Sequence, residues 1–91
     1  MTDSEIKVWR LFIEEVSNNF IQNFSANESM YRENVTLALI MLENTVLTNS
    51  SCWKLKLKSQ SSYGIPSSSV DEFVDIMSFN AIRKMKTLFF K

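Results

Sequence analysis

Histidine is absent from this sequence, and cysteine, glycine and proline occur once each. Without histidine, a Ser-His-Asp or Cys-His nucleophile cannot be assembled within one chain. One thiol cannot supply the roughly four nitrogen or sulfur ligands of a zinc site. One glycine excludes the P-loop and the dinucleotide-binding turn, whose phosphate cradles need several. One cysteine, Cys52, excludes an internal disulfide framework and reads as a free thiol buried as a small hydrophobe. The expectation is therefore no catalytic set, no metal and no cofactor.

Long apolar runs are also missing. The longest, Leu37 to Leu42, falls far short of the roughly 20 residues that span a bilayer. The start, Met1-Thr2-Asp3-Ser4-Glu5, is acidic and polar, whereas a secretory signal opens on a basic stretch before an apolar one. These features make a cytoplasmic protein without a membrane partner the expectation.

What is present is ordinary globular composition. The 91 residues are 45% hydrophobic, with seven phenylalanines and ten basic residues against ten acidic. The length suits a single domain spanning residues 1–91.

Periodicity predicts an all-α fold, a small bundle of three principal helices. The first covers about residues 3–24. Ile6, Trp9, Ile13, Val16, Phe20 and Phe24 recur at gaps of three and four, and Phe12 and Ile21 widen the stripe. Thr2 followed by Glu5 is a capping-box pattern. A short link at Ser25-Ala26-Asn27 predicts a second helix over about 28–47, packed antiparallel on the first. Its middle is apolar almost all round through Leu37, Ile40 and Met41, as expected of a central helix or of one covered by a second chain.

Thr48-Asn49-Ser50-Ser51 are poor helix formers and predict a break. Trp53-Lys54-Leu55-Lys56-Leu57-Lys58 then alternates apolar and basic residues, the two-residue period of a strand. The expectation is a short extended or irregular basic segment over 52–58, with Trp53, Leu55 and Leu57 inward and the lysines outward. A short helix is the alternative; it would put Trp53 and Leu57 on one face and turn Leu55 away. Residues 59–69, serine-rich and holding Gly64 and Pro66, read as loop. The last helix, about 70–90, carries the stripe Val70, Phe73, Val74, Met77, Ala81, Met85, Leu88 and Phe89. Acids near its start and bases near its end complement the helix dipole, and Ser69 with Glu72 repeats the capping pattern.

Charge is divided between the two halves. Residues 1–46 hold seven acids (Asp3, Glu5, Glu14, Glu15, Glu28, Glu33 and Glu43) against Lys7, Arg10 and Arg32, a net of −4. Residues 47–91 reverse this, with Lys54, Lys56, Lys58, Arg83, Lys84, Lys86 and Lys91 against Asp71, Glu72 and Asp75, a net of +4. Such a split can mark a basic docking surface, or else only lysines on a solvated face and dipole matching in the last helix. The neighbouring carboxylates Glu14-Glu15 and Asp71-Glu72 point about 100° apart on a helix and make poor acid–base pairs.

The resulting expectation is a non-enzymatic protein-binding module, a small regulator, inhibitor, immunity protein or dedicated chaperone that acts by surface occupancy. Its partner would present an acidic surface to Trp53, Lys54, Lys56, Lys58, Arg83, Lys84, Lys86 and Phe90. Over-wide apolar sectors on the second and last helices point to a homodimer. The alternative is a nucleic-acid-associated regulator, with the same lysines on phosphates and Trp53 as a stacking platform.

Overall fold

The computed structural model describes residues 2–89. Helix α1 spans Asp3–Ala26, α2 Glu28–Glu33, α3 Val35–Ser59 and α4 Val70–Phe89. Two single-turn 3-10 helices, Ser61–Tyr63 and Ser67–Ser69, lie between α3 and α4. No strand occurs among the described residues, so the all-α bundle expected from periodicity is the architecture found.

Helix α1 starts at the capping box foreseen in the sequence. The Glu5 amide donates to Thr2 Oγ1 at 3.2 Å, and the Thr2 amide donates to Glu5 Oε1 at 3.1 Å. Two otherwise orphaned donors are satisfied together. These bonds to Thr2, the backbone one foremost, hold the Glu5 carboxyl below its ordinary pKa. The buried stripe of α1 is Val8, Phe12, Val16 and Phe20, repeating every four residues. Phe12, Val16 and Phe20 match the expected stripe, and Val8 stands where Ile6 and Trp9 were expected. Trp9, Ile13 and Phe24 flank the core half-buried, and Ile21 faces solvent.

The second expected helix is interrupted at Asn34. Asn34 leaves helical geometry and caps α3, its Oδ1 accepting the Leu37 amide at 3.1 Å. The six-residue α2 is tied back to the end of α1. Tyr31 stacks on Phe24 at 5.8 Å, and the Arg32 guanidinium lies 5.8 Å from the same ring.

Helix α3 overturns two expectations. It does not break at Thr48-Asn49-Ser50-Ser51, and it continues through the basic segment to Ser59. Asn49, Ser50 and Ser51 are accommodated by turning back onto their own helix, as Thr45 does one turn earlier. Thr45 Oγ1 donates to the Met41 carbonyl at 2.8 Å, Asn49 Nδ2 to the Thr45 carbonyl at 2.8 Å and Ser50 Oγ to the Val46 carbonyl at 2.6 Å. Groups that compete with a helix in isolation are here satisfied within it. Residues 52–58 are thus helical, not extended. Trp53 and Leu57 are buried one turn apart, while Leu55 is 72% exposed. Exposure of Leu55 between buried Trp53 and Leu57 is the helical period, not the alternating one.

The link between α3 and α4 folds onto the bundle. Tyr63 packs edge-on against Trp53, with ring centroids 5.6 Å apart, and Ile65 is buried. Gly64 takes φ +74°, and a Cβ there would lie 2.7 Å from Ser4 Oγ. A residue without a side chain is needed at that crossing. Ser69 leads into α4 from a 3-10 turn, and no hydrogen bond joins it to Glu72 as the capping pattern predicted. In α4, Val70, Phe73, Val74, Met77, Ala81 and Met85 are buried as the periodicity indicated. Leu88 is exposed.

Helix α3 lies between the other two long helices. Asn19 of α1 donates to Asn49 of α3 at 3.2 Å. Lys54–Asp75 and Lys58–Asp71 link α3 to α4, one partner advancing four residues as the other retreats four. The two helices are therefore antiparallel. Lys86–Glu43 continues the same register, and Ser50 meets Ser78 between these pairs, hydroxyl to hydroxyl.

Leu57→Ala should cost about 2–5 kcal/mol, because it empties a filled core site. Leu55→Ala should stay within about 0.5 kcal/mol, as exposed positions do. Urea denaturation of both variants checks this. Equal costs at the two positions would restore the extended reading.

Candidate functional site

The lysines of the basic segment are set by helical geometry, and they diverge. Lys54 and Lys58 face α4, where each ammonium lies 2.9 Å from a carboxylate, Asp75 and Asp71 respectively. Lys56 points to the other side of α3. Its Nζ sits 4.3 Å from the centroid of the Trp53 ring, within cation–π range. Lys56 and Lys58 also occupy the last turn of α3, where positive charge complements the helix dipole.

Trp53 is 2% exposed, so its ring faces cannot receive a nucleobase. It anchors α3 against the Tyr63 turn, and its Nε1–H is buried without an acceptor among the described residues. Lys86 lies 3.9 Å from Glu43. Phe90 falls outside the described residues. The seven described residues among the eight singled out in the sequence therefore do not converge on one basic surface. Three of the lysines, Lys54, Lys58 and Lys86, pair with acids of this same chain.

Arg83 and Lys84 remain. Both are exposed, and neither forms an ion pair among the described residues. They line an open cleft of about 410 Å³ with Asn80, Thr87 and Leu88 of α4 and Trp9 of α1. Trp9 arrives there because α1 turns its Val8–Phe12 edge into the core, which leaves the next residue at the α1–α4 boundary. The cleft combines two mobile cations, an aromatic wall and an apolar floor at Leu88. Sequence reasoning missed Trp9, since its place in the helical period marked it as core.

A second cleft, about 490 Å³, opens between α1, α2 and α3. Asn19, Gln22, Asn23 and Asn44 line it beside Leu37 and Met41, and no charged residue borders it. No group of three or more potential metal ligands occurs among the described residues. No described helix is long and apolar enough to cross a membrane.

No protein-family model, curated protein or solved structure matches this chain. Its functional reading rests on its own chemistry.

The ion pairs set local titration. A hydrogen bond from the Lys58 ammonium holds the Asp71 carboxyl below its ordinary pKa. A hydrogen bond to Asp75 holds the Lys54 ammonium above its ordinary value. The signs differ in consequence. The Asp71 pair stabilises the fold above the ordinary carboxyl range, and that stabilisation disappears as pH falls through the lowered midpoint. The Lys54 pair stabilises below the ordinary lysine range and is lost as pH rises through the raised one. Both pairs are solvent-exposed and individually weak. Carbon-13 NMR titration should find the Asp71 midpoint below that of an unpaired aspartate, and Lys58→Gln should return it toward the ordinary range. An unchanged midpoint in that variant would show that Lys58 does not hold the carboxylate.

Proposed function

We propose that this chain is a non-enzymatic, cytoplasmic protein-binding module that acts by occupying a surface of its partner, as a small regulator or inhibitor does. The observation that carries this reading is the Trp9–Arg83–Lys84–Leu88 cleft. Two unpaired cations beside an aromatic and an apolar side chain suit a segment carrying an acidic residue next to an apolar one. Arginine and tryptophan are also the side chains most often found to anchor protein interfaces. The acidic partner thus meets α1 and α4, not the α3 lysines: Lys54 and Lys58 already have carboxylates beside them, and Lys56 lies over the Trp53 ring.

Burial of Trp53 weighs against the nucleic-acid alternative, which needs exposed rings on which bases stack. The remaining free cations on α4 are too few to make phosphate neutralisation a strong source of affinity.

A synthetic peptide rich in glutamate and leucine, the same peptide with lysine for glutamate, and oligothymidylate serve as probes. The acidic peptide should shift the Trp9 indole and Arg83 resonances, and its binding should weaken as salt rises. Arg83→Glu with Lys84→Glu should slow association by roughly 10-fold or more at low salt. Lys54→Glu with Lys58→Glu should change it far less. Tighter binding of oligothymidylate than of the acidic peptide would replace this reading with the nucleic-acid one.

A further inference from the structure

The ion pairs between α3 and α4 do not lie on separate patches. On α3, Ile40, Glu43, Leu47, Lys54 and Lys58 follow one another at gaps of three, four, seven and four, a single helical stripe. On α4, Asp71, Asp75, Phe79 and Lys86 do the same at four, four and seven. The two stripes border the α3–α4 seam on the side turned away from α1. Between the Lys86–Glu43 and Lys54–Asp75 bridges, each stripe carries a large apolar side chain in solvent. Leu47 is 58% exposed and Phe79 66%. Ile40 extends the apolar character at one end, and Ile76 flanks Phe79.

The charge order on this face is self-complementary. In register, α3 reads acid, base, base (Glu43, Lys54, Lys58), and α4 reads base, acid, acid (Lys86, Asp75, Asp71). A twofold axis running along the seam lays α3 of one copy over α4 of the other at the same level. Each of these six charges then meets its opposite, and Leu47 and Phe79 of one copy close over those of the other. An isologous contact requires a patch that complements itself, and this one does so at all three levels. Its net charge is zero, so it offers little to a strongly charged foreign surface.

The size also suits a second copy. Helix α4, 20 residues long, provides a length of about 30 Å, and the molecule is 21 Å across in its second dimension. The face therefore covers roughly 600 Å² in projection, with a larger corrugated surface. A stable interface takes about 800 Å² from each partner.

We infer that the outer face of α3 and α4, centred on Leu47 and Phe79, binds a second copy of this chain across a twofold axis parallel to the seam. This goes beyond the acidic-partner reading: Lys84 and Trp9 lie on the other side of α4, and Arg83, one turn from Phe79, borders both surfaces.

Sedimentation equilibrium under reducing conditions, needed because Cys52 is exposed, tests the inference. The native chain should sediment at twice its 10.6 kDa mass at micromolar concentration. Leu47→Glu and Phe79→Glu should each raise the dissociation constant at least about 30-fold. Ile21→Glu, the same change at an exposed apolar site on α1, should leave it unaltered. Circular dichroism checks that each variant keeps its helices. The charge order has its own readout. A Lys54→Glu, Lys58→Glu chain and an Asp71→Lys, Asp75→Lys chain should each be monomeric alone and pair when mixed. A native chain that stays at 10.6 kDa overturns the inference. So does a dimer that survives Leu47→Glu and Phe79→Glu, or an oppositely charged pair that fails to associate on mixing.

Discussion

The α3–α4 register depends on the place where Ser50 and Ser78 meet. Both are buried, and both are small enough to let the two helices approach closely. Each hydroxyl lies within reach of a carbonyl on its own helix, Val46 for Ser50 at 2.6 Å and Val74 for Ser78 at 2.7 Å. They also contact one another. Two hydroxyl hydrogens serve three oxygen-to-oxygen contacts, so one serine donates across the seam while the other donates to its own carbonyl. Either arrangement leaves both hydroxyls bonded. A larger side chain at either position would force the helices apart and lose more than the hydrogen bond, because well-packed interiors do not absorb added volume. With this crossing fixed, antiparallel geometry aligns Lys54 with Asp75, Lys58 with Asp71 and Glu43 with Lys86.

The same contact explains which parts of the fold were legible. Helices α1 and α4 carry their cores as plain three-and-four spacing, and α4 buries what that spacing indicated from Val70 to Met85, though not Leu88. In α1 the expected Phe12, Val16 and Phe20 are buried, and Val8 rather than Trp9 fills the core position one turn before Phe12. Helix α3 was harder because its evidence conflicts. Thr45, Asn49 and Ser50 have weak helix propensity alone, and Trp53 to Lys58 alternates like a strand. Tertiary burial decided the matter. Only a helix buries Trp53 and Leu57 while turning Leu55 out, and sets Asn49 against Asn19 and Ser50 against Ser78. No residue near Trp53 signals in sequence that such partners exist. Asn34 shows the reverse case, an ordinary residue in an apolar stretch whose side chain could cap a new helix.

Legibility of the site fared less well, for an electrostatic reason. A tally by halves gives −4 and +4, but folding brings the halves of that tally together. Lys86 reaches back to Glu43. Lys54 and Lys58 find acids within their own half, because the acidic first turn of α4 lies beside the basic last turns of α3. Both placements follow from dipole complementarity, and antiparallel packing makes them neighbours. The sequence tally therefore overstates the field that a partner would meet. Arg83 and Lys84 escape because they project from the parts of α4 that α3 does not border. Their neighbour Trp9 comes from the far end of the chain, and no spacing rule connects residue 9 to residue 83.

Charge cancellation along the seam also changes what the exposed apolar residues mean. Single leucines or phenylalanines in solvent are common and call for no explanation. Leu47 and Phe79 differ in lying between ion pairs that neutralise their surroundings at every level. An apolar side chain ringed by unpaired like charges would be protected from association, since a second copy would meet repulsion as it approached. Here the flanking charges are paired, Arg83 one turn from Phe79 excepted, and the pairs reverse sign from one helix to the other, so approach of a second copy brings attraction. The small core sharpens this. A chain of this size buries a modest share of its surface, and α3, though central, still presents Ile40, Leu47 and Leu55 to water. The geometry that satisfies the polar middle of α3 by turning it inward is the same geometry that turns these apolar residues out.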